Sequence, residues 1–117
     1  MKNFISPGLV LTLSAITGGV TAGVAVMVGG ICVVPATDAD EATSFAAHTM
    51  GVFTLDKKAG ETWAQGDVLY LDNSTGAFTK TSDTGLFKAG VAAEAVTTAG
   101  DTEGAIRLDG VSTVAEA

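Results

Sequence analysis

Residues 18–36 read GGVTAGVAVMVGGICVVPA, inside a stretch covering residues 3–37 that contains no Asp, Glu, Lys or Arg and is bounded by Lys2 and Asp38. Such a run can be a secretory signal, a membrane helix or buried β-structure. A signal opens with a basic residue ahead of a short apolar core, which Lys2 and residues 9–15 imitate; we read the segment as retained. A membrane helix needs about 20 predominantly apolar residues, and here Gly18, Gly19, Gly23, Gly29 and Gly30 interrupt the run while Pro7, Thr12, Ser14, Thr17 and Thr21 dilute it. Each interior glycine costs about 1 kcal/mol of helix relative to alanine, and no Lys/Arg cluster flanks the run to set an orientation. The period decides for strands. Leu9, Leu11 and Leu13 alternate with Val10, Thr12 and Ser14, and Val24, Val26 and Val28 alternate with Ala25 and Met27. Gly29-Gly30 then supplies the positive φ of a two-residue hairpin turn into Ile31-Cys32-Val33-Val34, closed by Pro35. Both faces of this hairpin are apolar, which predicts burial on both sides, against the domain core on one and a partner surface on the other.

Working outward, 117 residues suffice for one domain with its own core. The net charge of -7, from 6 basic and 13 acidic residues, repels polyphosphate, so direct nucleic-acid binding is not expected. A single cysteine, Cys32, cannot form an intrachain disulfide, and no Cys/His cluster has zinc spacing. Aromatic residues are 6% of the chain and 15 glycines stand against 2 prolines, a composition of small side chains and many turns.

The second half repeats the grammar of the first. GVAVMV at 23–28 is echoed by GDVLYL at 66–71, and each is followed by a second short strand. Met50-Gly51-Val52-Phe53 matches Ala89-Gly90-Val91-Ala92, and Ala59-Gly60-Glu61-Thr62 matches Ala99-Gly100-Asp101-Thr102. Two copies are too few for a solenoid. Residues 42–55 read as strand with a bulge or bend at Gly51, residues 103–108 as a last short strand, and the Asp-Ala-Asp-Glu-Ala opening of residues 38–50 as a candidate cap of a short helix. The expectation is an all-β domain: a small β-barrel, tulip-like or sandwich architecture with an internal pseudo-repeat. Its parts are an extended N-terminal arm (residues 1–7), a single β domain (8–110) and a C-terminal tail (111–117).

Chemistry is hard to find in the sequence. His48 is the only histidine and reads as a surface or packing residue; Cys32, in the apolar hairpin, reads as a small hydrophobe with no cationic neighbour to form a thiolate. No Gly-Lys pair exists, so a phosphate-binding loop is absent, and Asp38, Asp40, Glu41, Asp72 and Asn73 lack the spacing of a calcium loop. Trp63 and Tyr70 read as core. An enzyme would need an acid pair such as Asp67 and Asp101 to converge.

The order Met1-Lys2-Asn3-Phe4, Pro7-Gly8, Gly18-Gly19-Val20-Thr21-Ala22-Gly23, Gly51-Val52-Phe53, Trp63, Gly66-Asp67-Val68-Leu69-Tyr70 and Arg107-Leu108 resembles the small tailed-phage capsid cement, or decoration, proteins over about residues 1 to 110. That resemblance implies a compact barrel-like or tulip-like domain on the outer surface of the phage head, made in the host bacterial cytoplasm. It implies contacts with the major capsid protein, homotrimers, and no catalysis, cofactor or membrane association. The family has sometimes been labelled RecA-like, a label that the missing phosphate loop does not support. The expected contact residues are Lys2, Asn3, Phe4 and Ile5 of the arm, with Val26, Val28 and Val33 of the hairpin. A secreted or surface β-domain of the adhesin type, also without catalysis, is the alternative reading.

Overall fold

The structure, a computed structural model, describes residues 10–115. The expected arm and the end of the tail, residues 116–117, lie outside them. Nine strands follow one another in the described chain: β1 (Val10–Ser14), β2 (Val26–Val28), β3 (Ile31–Pro35), β4 (Ser44–His48), β5 (Met50–Asp56), β6 (Val68–Asp72), β7 (Ala77–Thr79), β8 (Phe87–Ala92) and β9 (Glu103–Asp109). They form a four-stranded sheet in the order β1-β4-β3-β2 and a five-stranded sheet in the order β5-β9-β8-β6-β7. All named pairings are antiparallel. The domain is therefore all-β and sandwich-like. The second sheet curls until Lys57 forms an isolated parallel bridge to Phe78, without closing a barrel.

The decisive stretch is a hairpin. Val28 pairs with Ile31 across Gly29-Gly30, and Gly29 carries the positive φ (59°), as in turns whose first central residue alone is left-handed. Pro35 ends β3 as a member of the strand, paired with Ala47. Alternation then does what it predicts on both sides. Ala25, Met27, Cys32 and Val34 enter the main core with Leu55, Trp63, Leu69, Leu71, Phe78, Ile106 and Leu108. Val33 enters a second cluster with Ala15, Val20, Phe45 and Ala47, against which Leu13, Val26, Val28 and Ile31 pack half-buried. The face expected to meet a partner is thus covered in part by the chain itself, through Ala15 and Val20 of the β1–β2 loop and Phe45 and Ala47 of the neighbouring strand β4.

Two elements depart from the sequence expectation. Residues 42–55 are two strands in different sheets, β4 and β5, turning over at Thr49, which is buried, with Gly51 at φ 127° just beyond. The acids at 38–41 cap no helix. Asp38 accepts the Ala22 N–H at 2.7 Å and Glu41 the Gly18 N–H at 3.2 Å, so they tie the β3–β4 loop to the β1–β2 loop. The chain takes the αL conformation at Ala42 (φ 65°) to make this turn.

The tail also has partners. The Thr113 N–H donates to the Gly30 carbonyl at 2.7 Å, and Ala115 bridges Phe87 at the start of β8. Trp63 is tightly packed in the other half. A Cβ added at Gly104 would lie 2.6 Å from the Trp63 ring and 3.2 Å from Val96. Gly104→Ala must push the indole off its bed, an overpacking cost of about 1–3 kcal/mol. Urea unfolding followed by Trp63 fluorescence is expected to show a lower midpoint with an unchanged slope.

Candidate functional site

The most organised polar cluster joins β5, β7 and the paired loops 59–62 and 99–102. Sequence similarity between these loops has a spatial counterpart, since the Gly60 N–H donates to the Ala99 carbonyl at 2.7 Å and Trp63 bridges Val96. Lys57 is 3% exposed. Its Nζ donates to the carbonyls of Lys58 (3.0 Å), Asp101 (3.1 Å) and Ala99 (3.4 Å) and lies 5.8 Å from the centroid of the Trp63 ring. A buried lysine is tolerated only when its donors are matched and its charge compensated. This one spends its donors on backbone and leaves none aimed at a ligand.

Glu61 completes the lock. Its Oε1 accepts the Trp63 indole N–H (2.9 Å) and the Lys80 backbone N–H (2.8 Å), and its Oε2 accepts the Thr79 hydroxyl (2.8 Å). Burial alone pushes the Glu61 carboxyl up, but the three hydrogen bonds and the nearby Lys57 outweigh it and hold the group below its ordinary value. The cluster therefore fixes the β7 edge and Trp63; its groups are satisfied by one another, as in a structural network.

The remaining candidates stay apart. Cys32 is buried, and burial, with the Asp109 charge adding to it, pushes its thiol up to about 12, so it is no nucleophile near neutral pH. His48 is half-buried and packs its ring 5.9 Å from Phe53. Asp67 caps the Ala64 N–H at 2.8 Å before β6, while Asp101 sits in an exposed loop; the two line different depressions. Asp72 bonds the Ser74 hydroxyl (2.6 Å) and N–H (3.1 Å) in its own turn, which lowers its carboxyl. Among the described residues no group of three His, Cys, Asp or Glu is placed to hold a metal. A depression of about 500 Å³ beside Lys57, Lys58, Asp72, Thr79, Asp83 and Leu86 has the size of a ligand site. Two of its charged groups, Lys57 and Asp72, already have partners within the chain.

Surface composition is more informative than any pocket. The four strands of the first sheet carry no Asp, Glu, Lys or Arg, and the described cations Lys57, Lys58, Lys80, Lys88 and Arg107 all belong to the second half. Val10, Thr12, Ser14, Ser44 and Ala46 form one exposed, uncharged side of β1 and β4. Of the expected contact residues, Lys2, Asn3, Phe4 and Ile5 lie outside the described residues. Val26 and Val28 are half-buried side by side with Ile31, and Val33 has no exposure at all in the single chain. A second surface escaped the sequence reading: Val52, Arg107, Val91 and Val68 lie in one row across the outer face of the five-stranded sheet. Val52 is 60% and Val68 40% exposed. The signal was present in the parity of these positions, opposite to that of Leu55, Leu69 and Ile106.

The Glu61 lock makes the fold acid-sensitive in a defined way. A carboxyl whose folded value is depressed contributes stability that is present above its unfolded value, near 4.5, and is lost as pH falls through the folded one. Glu61→Gln keeps the shape but loses the charge-assisted acceptor. Its deficit against the parent protein is expected to be about 1–3 kcal/mol at neutral pH. That deficit should narrow at acid pH, which paired urea titrations on either side of the transition would measure.

No helix of the described residues is long and apolar enough to cross a membrane. No curated protein and no solved structure matches the chain. The sequence model of one family, described as phage cement protein, matches residues 5–108, ending at the last core residue of β9. With the all-β sandwich and a match over most of its length, the chain belongs to the phage cement protein family, structural proteins of the phage capsid.

Proposed function

We propose that this protein is a decoration protein that binds the outer surface of the phage head and braces contacts between major capsid protein subunits. It acts as a homotrimer and without catalysis, cofactor, nucleic acid or membrane, after synthesis in the host cytoplasm. The observation that supports this most directly is the segregation of charge. A protein of net charge -7 keeps its charges off every strand of one sheet, and a charge-free sheet is the half best suited to being covered in an assembly. The contact surface comprises the arm, with Lys2, Asn3, Phe4 and Ile5, and the hairpin rim at Val26 and Val28. Val33, the cross-strand partner of Val26, is buried beside that rim.

Weak contacts suffice because shell symmetry repeats them. A protein that binds the assembled shell and not its dissociated subunits stabilises the shell by about 2.7 kcal/mol per site at a hundredfold excess over Kd. Undecorated heads mixed with the purified protein are expected to gain density at symmetry-related positions in cryo-EM and to withstand a higher temperature before releasing DNA. Deleting residues 2–6 should lower occupancy while Trp63 fluorescence remains native. Unchanged occupancy would remove the arm from the contact, and absence of any binding to heads would overturn the reading.

A further inference from the structure

Two sheets have four edges; two are covered by the chain itself and a third is interrupted at both ends. At β2 the Met27 N–H donates to Asn73 Oδ1 at 3.0 Å, and the 72–76 turn presses so close that a Cβ on Gly76 would lie 3.1 Å from Val24 Cγ1. At β7 the Lys57–Phe78 bridge, the Lys58 N–H to Phe78 carbonyl bond (2.9 Å) and the Glu61 carboxylate occupy the outer side. At β5 one end runs into that same bridge, and the other carries Gly51 at φ 127°, a local kink within a strand that stays paired to β9. The fourth edge is β1. It pairs with β4 along all five residues, has no described strand paired to its other side, and reads Val-Leu-Thr-Leu-Ser, without charge, proline or glycine. Edge strands are normally blunted by one of those devices because an open edge recruits another chain.

We propose that residues 2–6 of one copy add as a strand to the free edge of β1 in a neighbouring copy. The occupant follows from where the described chain begins. Nine residues precede Val10 and enter β1 directly, a reach of at most about 30 Å. Within them Lys2-Asn3-Phe4-Ile5-Ser6 matches β1 in length, five residues against five. This segment is poorly suited to folding back on its own β1. A two-residue reversal would place Pro7 where hairpin turns need a positive φ, and proline is locked near −65°. A three-residue reversal would place Leu9 in the left-handed position that glycine normally fills. Exchange between copies avoids both.

Charge fixes the direction. Laid antiparallel to β1, the segment carries Lys2 toward the Ser14 end. There the Ala15 N–H bonds Thr43 and the Ala42 N–H bonds Ala15, which brings up the acidic loop with Asp38, Asp40 and Glu41. Those are the only acids before β5, and Lys2 is the only cation. In equal-length register Phe4 falls opposite Thr12 on the exposed side and Ile5 opposite Leu11 on the half-buried apolar side. Main-chain hydrogen bonds supply affinity and the alternate side chains specificity. Each copy gives one strand and takes one, a head-to-tail contact that closes into a ring.

This inference rests on the self-association in the proposed function, and light scattering of the unmodified protein tests that separately. The exchange itself is tested by mixing Phe4→Cys copies with Thr12→Cys or Ser14→Cys copies under mild oxidation, with Cys32 buried out of reach. A disulfide joining position 4 of one chain to position 12 or 14 of another, identified by peptide mass spectrometry, is the expected result. Loss of the oligomer on deleting residues 2–6, with native Trp63 fluorescence, is expected beside it. Closure within one chain of the Phe4→Cys/Thr12→Cys double variant at high dilution would overturn the exchange. So would the absence of any disulfide at these positions. A link from Phe4→Cys to the capsid protein, with none between copies, would overturn it too while leaving head binding standing.

Discussion

Strand β3 is apolar on both faces, and most of the architecture answers that constraint. Cys32 and Val34 need one cover and Val33 another, so a single sheet with one wet face cannot accommodate Ile31–Pro35. The five-stranded sheet supplies the first cover. Ala15 and Val20 of the β1–β2 loop, with Phe45 and Ala47 of the adjacent strand β4, supply the second. Burying each such side chain is worth about 1.5–3 kcal/mol, and with few aromatic residues the chain reaches this by stacking layers of small ones. The loops that hold the second cover are fastened by carboxylates, Asp38 to Ala22 and Glu41 to Gly18, in place of further apolar area.

The other half of the molecule depends on polar closure. A five-stranded antiparallel sheet that curls leaves a seam, and Lys57 seals it by satisfying three carbonyls from two loops while lying over Trp63. Glu61 holds Trp63 by its indole N–H and pins Thr79 and Lys80. Each member of this group is costly to bury alone and satisfied only in company. It therefore specifies one arrangement of the seam, a role that apolar packing among small side chains performs less well.

Much of this was legible in the sequence and some was not, for reasons that particular residues make plain. The hairpin at Gly29-Gly30 was legible because period and turn chemistry agree there. The switch of β4 and β5 between sheets was hidden because Phe45, Ala47, Thr49 and Leu55 are buried at the same parity on both sides of it, with only the exposed Gly51 interrupting the series; three-dimensional topology separates the two strands. Lys57, between Asp56 and Lys58, looks like part of a solvated charged run, and the carbonyls of Ala99 and Asp101 that bury it come from more than forty positions away. The helix suggested by the acids at 38–41 failed because their carboxylates found N–H groups on another loop. The charge-free stretch pointed correctly to buried structure, but part of what covers it is the chain itself.

The single residue between β4 and β5 has a mechanical meaning. Thr49 is buried, and the sheets it joins are also packed through the hairpin, so the linkage has no slack. A pull along β4 passes to the seven paired residues of β5 and β9, which, with the rest of the sheet held, share the load in shear instead of opening one pair at a time. A protein fixed to a shell through its first sheet would meet outward pressure with its longest ladder, resisting stretch along the direction in which antiparallel strands are hardest to part.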